Sequence, residues 1–161
     1  MGLDMYLRKR TYVKNWDHMG PEARHTVTIT GPRAAHIRPE RITYIEEEVA
    51  YWRKANAIHQ WFVDVCQDGV DECQETYVTR QNLETLRDLC AELITLHETD
   101  PAAAHERAVE DLSPQSGCFF GSTDIDEYYW EDVRETATML TTLLNETAPE
   151  DDEGYVYQSS W

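Results

Sequence analysis

Apolar and polar residues alternate over 3–13 (LDMYLRKRTYV), the period-two pattern of strand, and the run of charges at 8–10 predicts a break between two short strands. HTVTIT at 25–30 alternates in the same way and ends in Gly31-Pro32, which predicts a strand followed by a turn. Beyond Pro39 the pattern changes to that of a helix, running over 43–66 and stopped by Gln67-Asp68-Gly69. Residues 41–45, or the chain as far as 51, also read as strand, and the pattern alone leaves both open. A short strand is expected at 75–78, after which Thr79 is placed to cap a helix carrying Leu83, Leu86, Cys90 and Leu93 at spacings of three and four. Asp100-Pro101 ends that helix, 102–112 predicts a short one and 115–121 a strand. Ser122 or Thr123 is then expected to cap a long helix with an acidic first turn (Asp124, Asp126, Glu127) and a core stripe of Tyr129, Val133, Ala137, Leu140 and Leu144. An acidic loop at 150–153 and a last strand at 154–160 complete the chain. Strands separated by three main helices, with no repeat and no long linker, predict a single α+β domain over 1–161 with a mostly antiparallel sheet.

A chain of 161 residues, 41% hydrophobic and 11% aromatic, has enough apolar side chain for one core without a disulfide or metal staple. Its 14 Lys and Arg against 31 Asp and Glu leave a net charge of −17. That balance argues against direct nucleic-acid binding, because duplex affinity comes mainly from cations displacing counterions. The basic residues are concentrated early: 1–41 hold eight Lys and Arg against four Asp and Glu, while 42–161 hold six against twenty-seven. The opening segment is therefore expected either to lie against the acidic remainder or to give one face a basic patch. No run approaches the roughly 20 apolar residues of a spanning helix, and the start carries neither an apolar signal run nor, with Tyr6 in place of Ser or Thr, a myristoylation pattern. A cytoplasmic protein without membrane contact is expected, with its four cysteines (66, 73, 90, 118) as reduced, mostly buried thiols. Histidine and cysteine spacings match no zinc pattern, Asp124-x-Asp126 lacks the glycine and glutamate of a calcium loop, and no nucleophile elbow, P-loop or dinucleotide fingerprint occurs. No metal, cofactor or catalytic residue is therefore assigned.

Placed at 100° per residue, 45–66 puts Ile45, Val49, Trp52, Asn56, His59, Val63 and Cys66 in one stripe, so an amide and an imidazole interrupt an apolar face. Left without partners inside a fold, each would cost about 1–3 kcal/mol. Two arrangements satisfy them. One is a core network joining the helix to the sheet. The other is a pocket of Tyr51, Trp52, Arg53, Asn56, His59 and Gln60. In that pocket Arg53 would pair with a phosphate or carboxylate, Asn56 and His59 would read polar edges, and Trp52 or Tyr51 would stack on a ring, which suits a nucleotide-like ligand. On the other side of the helix, Ile58, Trp61 and Val65 form a second apolar group, expected either inside the fold or at the interface of a homo-oligomer.

The opening MGLDMYL, the run YWRKANAIHQWF at 51–62, SGCFFGST at 116–123 and the ending SSW resemble, over the whole chain, a family of short bacteriophage and prophage proteins. The resemblance implies phage origin and action in the cytoplasm of an infected bacterium, and it supplies no catalytic residue. In that setting a nucleotide-binding pocket would sequester a host signalling nucleotide and counter host defence. Two other readings stay open. Rows of carboxylates at Glu84, Asp88, Glu92 and at Glu127, Glu131, Glu135 would let the protein imitate DNA and occupy a basic groove on a host nucleic-acid-binding protein. A hydrolase would need Cys118 or Ser122 folded against His59, or paired carboxylates acting as acid and base.

Overall fold

In the computed structural model, which describes residues 2–148 and 154–161, the opening alternation forms one continuous strand, β1 (Asp4–Tyr12). Met5 and Leu7 are fully buried on its inner face. The expected break at 8–10 is bridged because each charge meets an opposite one: Lys9 Nζ lies 2.9 Å from Glu47, and Arg10 reaches Glu46 at 2.5 Å and Glu75 at 2.9 Å. What remains of the break is a register irregularity between Leu7 and Arg8, where the partner strand skips Val49. Of the eight cations in 1–41, Arg8, Lys9 and Arg10 thus lie against acidic residues on the sheet itself, while the other five belong to the connection that follows β1.

That partner is β2 (Tyr44–Arg53), and it corrects the expected 43–66 helix. Only its second part is helical, as α1 (Asn56–Cys66). Three glutamates facing β1 cations, inward Ala50 and Trp52, and β-branched or aromatic residues at 44, 45, 49, 51 and 52 favour the strand, although the same spacing also satisfies a helical stripe. Across β1 from β2 lies β4 (Gly154–Ser160), as expected, and beyond it the short β3 (Thr76–Val78); the order is β2, β1, β4, β3 with every neighbour antiparallel. The acidic loop expected at 150–153 lies outside the described residues.

Two other expected strands are absent. Residues 25–30 belong to a long connection between β1 and β2 that holds only single 3-10 turns at Pro21–Ala23, Ala34–His36 and Pro39–Arg41. No residue of 14–42 is fully buried, so the alternation there has no face to bury and no neighbouring strand to pair. The connection leaves the sheet where Val13 N–H donates to Thr43 O at 2.9 Å. The segment 115–121 is also irregular, with Phe119 and Gly121 at φ 66° and 98°.

The remaining helices follow their apolar stripes. Thr79 and Asn82 form a reciprocal capping box for α2 (Arg80–Thr99), which buries Leu83, Leu86, Cys90 and Leu93. Asp100 caps the short α3 (Pro101–Asp111). The last helix, α4 (Glu127–Glu146), is capped by Asp126, which accepts from the N–H groups of Tyr128 and Tyr129. Ser122 Oγ instead accepts from Asp124 N–H at 3.0 Å and holds the loop before the helix. Of the expected α4 stripe, Tyr129, Val133, Leu140 and Leu144 are buried and Ala137 is half-buried. α4 packs on α2, and α2 on α3; Trp52 joins the sheet to α4 and Phe62 of α1 stacks on Tyr157 of β4 at 4.0 Å, so one apolar core runs through an α+β fold. The four cysteines are free thiols, but only Cys90 is fully buried and Cys118 is exposed. Among the described residues no helix is long and apolar enough to cross a membrane.

Candidate functional site

The chain turns from β2 into α1 within two residues. Lys54 sits at φ 60°, a left-handed conformation uncommon for a residue with a side chain, and its N–H donates to Leu3 O at 2.8 Å. Ala55 (φ −74°, ψ 68°) then forms an inverse γ-turn closed by Asn56 N–H to Lys54 O at 2.8 Å. The alanine at the cap position has no oxygen to offer, and among the described residues nothing accepts from the N–H groups of Ala57 and Ile58. The positive end of α1 is thus uncapped, with Ala57 and Ile58 buried and the exposed cations Arg53 and Lys54 beside them.

Asn56 is buried at 5% exposure and clamps the loop that covers this helix start. Its Nδ2 donates to Phe120 O at 3.1 Å and to Ser122 O at 2.8 Å, and two carbonyls facing one end of the amide identify that end as the NH₂. Gly121 lies between the two carbonyls at φ +98°, where a β-carbon would be strained. Between this clamp and α4 opens a cavity of about 460 Å³. One wall is Arg53, Lys54 and the first turn of α1, and the other is the first two turns of α4, with Tyr128, Asp132 and Val133. Tyr129 Oη is taken up by Leu112 O at 2.9 Å, and Asp126 by its capping bonds; Asp132 O accepts from Thr136 Oγ1 at 2.7 Å, whereas the Asp132 carboxylate makes no hydrogen bond or ion pair to the described residues. Burial, reinforced by the negative charges of Glu135, Glu131 and Asp126, pushes the Asp132 carboxyl up to about 7.

Of the six residues expected to bind ligand, Arg53 and Asn56 line this cavity. The other four are elsewhere, because 44–53 is strand and the helical stripe therefore begins at Asn56. Trp52 is buried in the core, its Nε1–H donating to Thr136 Oγ1 at 2.9 Å. Tyr51 lies on the outer face of the sheet beside Tyr6, with its hydroxyl on Asp4. Gln60 bonds Asp64 on the helix surface at 2.7 Å. His59 is fully buried between Tyr157 Oη (2.7 Å from Nδ1) and Asp71 Oδ2 (3.0 Å from Nε2), and Asp71 also accepts from Trp161 Nε1 at 3.1 Å. The imidazole therefore belongs to a core network joining α1, β4 and the 67–75 loop. Neither Cys118 nor Ser122 bonds to it, and burial holds the Tyr157 hydroxyl well above its ordinary range, so no activated nucleophile forms there. The expected interface group is corrected too: Ile58 and Trp61 are buried in the chain's own core and only Val65 is exposed.

Lys54, Tyr128 and Asp132 are site residues that the pattern reading passed over. A signal for Asp132 existed: it stands three residues after Tyr129 and four before Thr136, both buried, so a carboxylate falls within the inward stripe of α4. Among the described residues no group of three or more His, Cys, Asp or Glu is arranged to hold a metal ion. No known protein family, curated protein or solved structure matches the chain.

Proposed function

We propose that the cleft between the start of α1 and the start of α4 binds a small anionic ligand of nucleotide type, without chemical turnover. The observation that carries this reading is the uncapped first turn of α1, whose Ala57 and Ile58 N–H groups have no acceptor among the described residues and which lines the cleft beside Arg53 and Lys54. Helix starts of this kind favour phosphate or carboxylate groups through both their donors and their dipole. The exposed ring of Tyr128 on the facing wall offers a plane for stacking, and the cavity volume falls within the roughly 300–1,000 Å³ of small-molecule sites. The resemblance to phage proteins supports a setting in the cytoplasm of an infected bacterium, where holding a signalling nucleotide would counter host defence. The imitation of DNA has weaker support, because in the α2 row Glu84, Asp88 and Glu92 are paired with Arg80, Arg87 and Arg107.

Thermal denaturation with a panel of nucleotides and with inorganic phosphate tests the reading, since a ligand that binds only the folded chain raises its melting temperature. At least one nucleotide is expected to stabilise the wild type, and the double substitution Arg53→Ala/Lys54→Ala to abolish the gain while leaving the unliganded protein folded, because both side chains are exposed. A panel without effect on the wild type contradicts it.

A further inference from the structure

Away from the cleft, the chain carries two incomplete halves of a sheet. One is β2, which among the described residues pairs only with β1 and so ends the sheet with one side of its main chain unpaired. At ten residues it is a long edge, and its residues 44–48 are exposed. Beside it a groove of about 430 Å³ opens toward α4, lined by Val49, Met139, Thr142 and Leu143 together with Glu47 and Glu48. The other half is the 25–30 segment, in which half-buried Val27 and Ile29 alternate with three exposed threonines. Among the described residues the main chain of 26–30 takes part in no hydrogen bond, and reciprocal bonds of 2.8 Å between His25 and the Asn15 side chain hold only its start.

We infer that two copies of the chain associate by exchanging these halves, the 25–30 segment of each adding as a strand to the β2 edge of the other. Main-chain hydrogen bonds supply the ladder, Val27 and Ile29 face the groove, and the threonines face solvent, as the period of two requires. The exchange is reciprocal, so the assembly closes as a twofold dimer. Charge selects this pairing. β2 set against β2 brings Glu46, Glu47 and Glu48 up to their own counterparts, and like charges across a ladder are destabilising. The 25–30 segment carries no acid, begins with His25 and is flanked by Arg24 and Arg33. Residues 14–24 and 31–42 on either side hold only single 3-10 turns, and each reaches at least about 35 Å when extended, enough to carry the segment onto a neighbour. Two added strands make a small interface and neither half belongs to the core, so the association is weak and each chain folds alone.

Sedimentation velocity of the full chain from about 1 to 300 μM tests this, in about 0.15 M salt to screen the repulsion between two chains of net charge −17. The wild type is expected to pass from monomer to dimer over that range. Val27→Asp/Ile29→Asp, which sets carboxylates against Glu47 and Glu48, is expected to weaken dimerisation about tenfold or more, and Val27→Ile/Ile29→Val to leave it within about threefold. In wild type at the highest concentration, with labelled and unlabelled chains mixed, isotope-filtered NMR should give contacts between 26–30 of one copy and 44–49 of another. A wild type that stays monomeric throughout would overturn the inference. So would a dimer indifferent to the Asp pair, or contacts between 26–30 and 44–49 found only within one chain. The NMR comparison is made on the wild type, so it does not depend on how the variants fold.

Discussion

Asp132 shows most directly how one residue ties stability to function. Its carboxyl is raised from an ordinary value near 3.8 to about 7 by burial first and by neighbouring carboxylates second. With the folded value above the unfolded one, the fold holds its proton more tightly, so the contribution is fully present below the unfolded value and is lost as pH rises through the folded one. The Asp132→Asn chain, which has no proton to lose, should therefore melt higher than wild type at pH 8, with the advantage shrinking between about pH 7 and pH 4 and gone below. Thermal melts across that range check it, and equal melting temperatures at pH 8 would show that the carboxylate is not strained by its site. At the same scale, Asn56 and His59 illustrate what a helical phase can and cannot say. Both were legible as inward-facing polar residues. Which of them would border a cavity was not, because that depends on the 113–125 loop folding over one and on Tyr157 and Asp71, far apart in sequence, closing on the other.

Elements announced themselves when a cap and a stripe agreed. Thr79 followed by Leu83, Leu86, Cys90 and Leu93 marks α2 unambiguously, and its box geometry predicts that Thr79→Ala lowers stability by about 1 kcal/mol in urea denaturation, whereas the same change at exposed Thr85 stays within about 0.5. The stretch 44–53 was ambiguous because its inward residues satisfy both periods. What decides for strand is a partner: Arg8, Lys9 and Arg10 are held opposite Glu48, Glu47 and Glu46 only by tertiary pairing. The absent strand at 25–30 is the converse, an alternating pattern with no partner. The start of α4 misled through chemistry rather than period, since Ser122, Thr123, Asp124 and Asp126 are all acceptable caps and only the loop geometry selects Asp126.

For the whole molecule, the net charge of −17 is distributed so that the basic opening strand neutralises part of the sheet and a separate cation pair guards the cleft. The 14–42 connection contributes no fully buried side chain, and the Val13–Thr43 hydrogen bond already closes the ladder beneath it. Replacing 15–41 with a short hairpin turn is therefore expected to leave the urea midpoint near that of wild type, and a large drop would assign the connection a structural role. The central claim is that the start of α1 is an anion site. Backbone amide NMR during titration with the nucleotide that most raises the melting temperature tests it at the atoms concerned: the largest shifts are predicted at Ala57 and Ile58, with smaller ones at Asn56 and Tyr128. Saturation with that nucleotide that leaves the Ala57 and Ile58 amides unmoved would contradict the account.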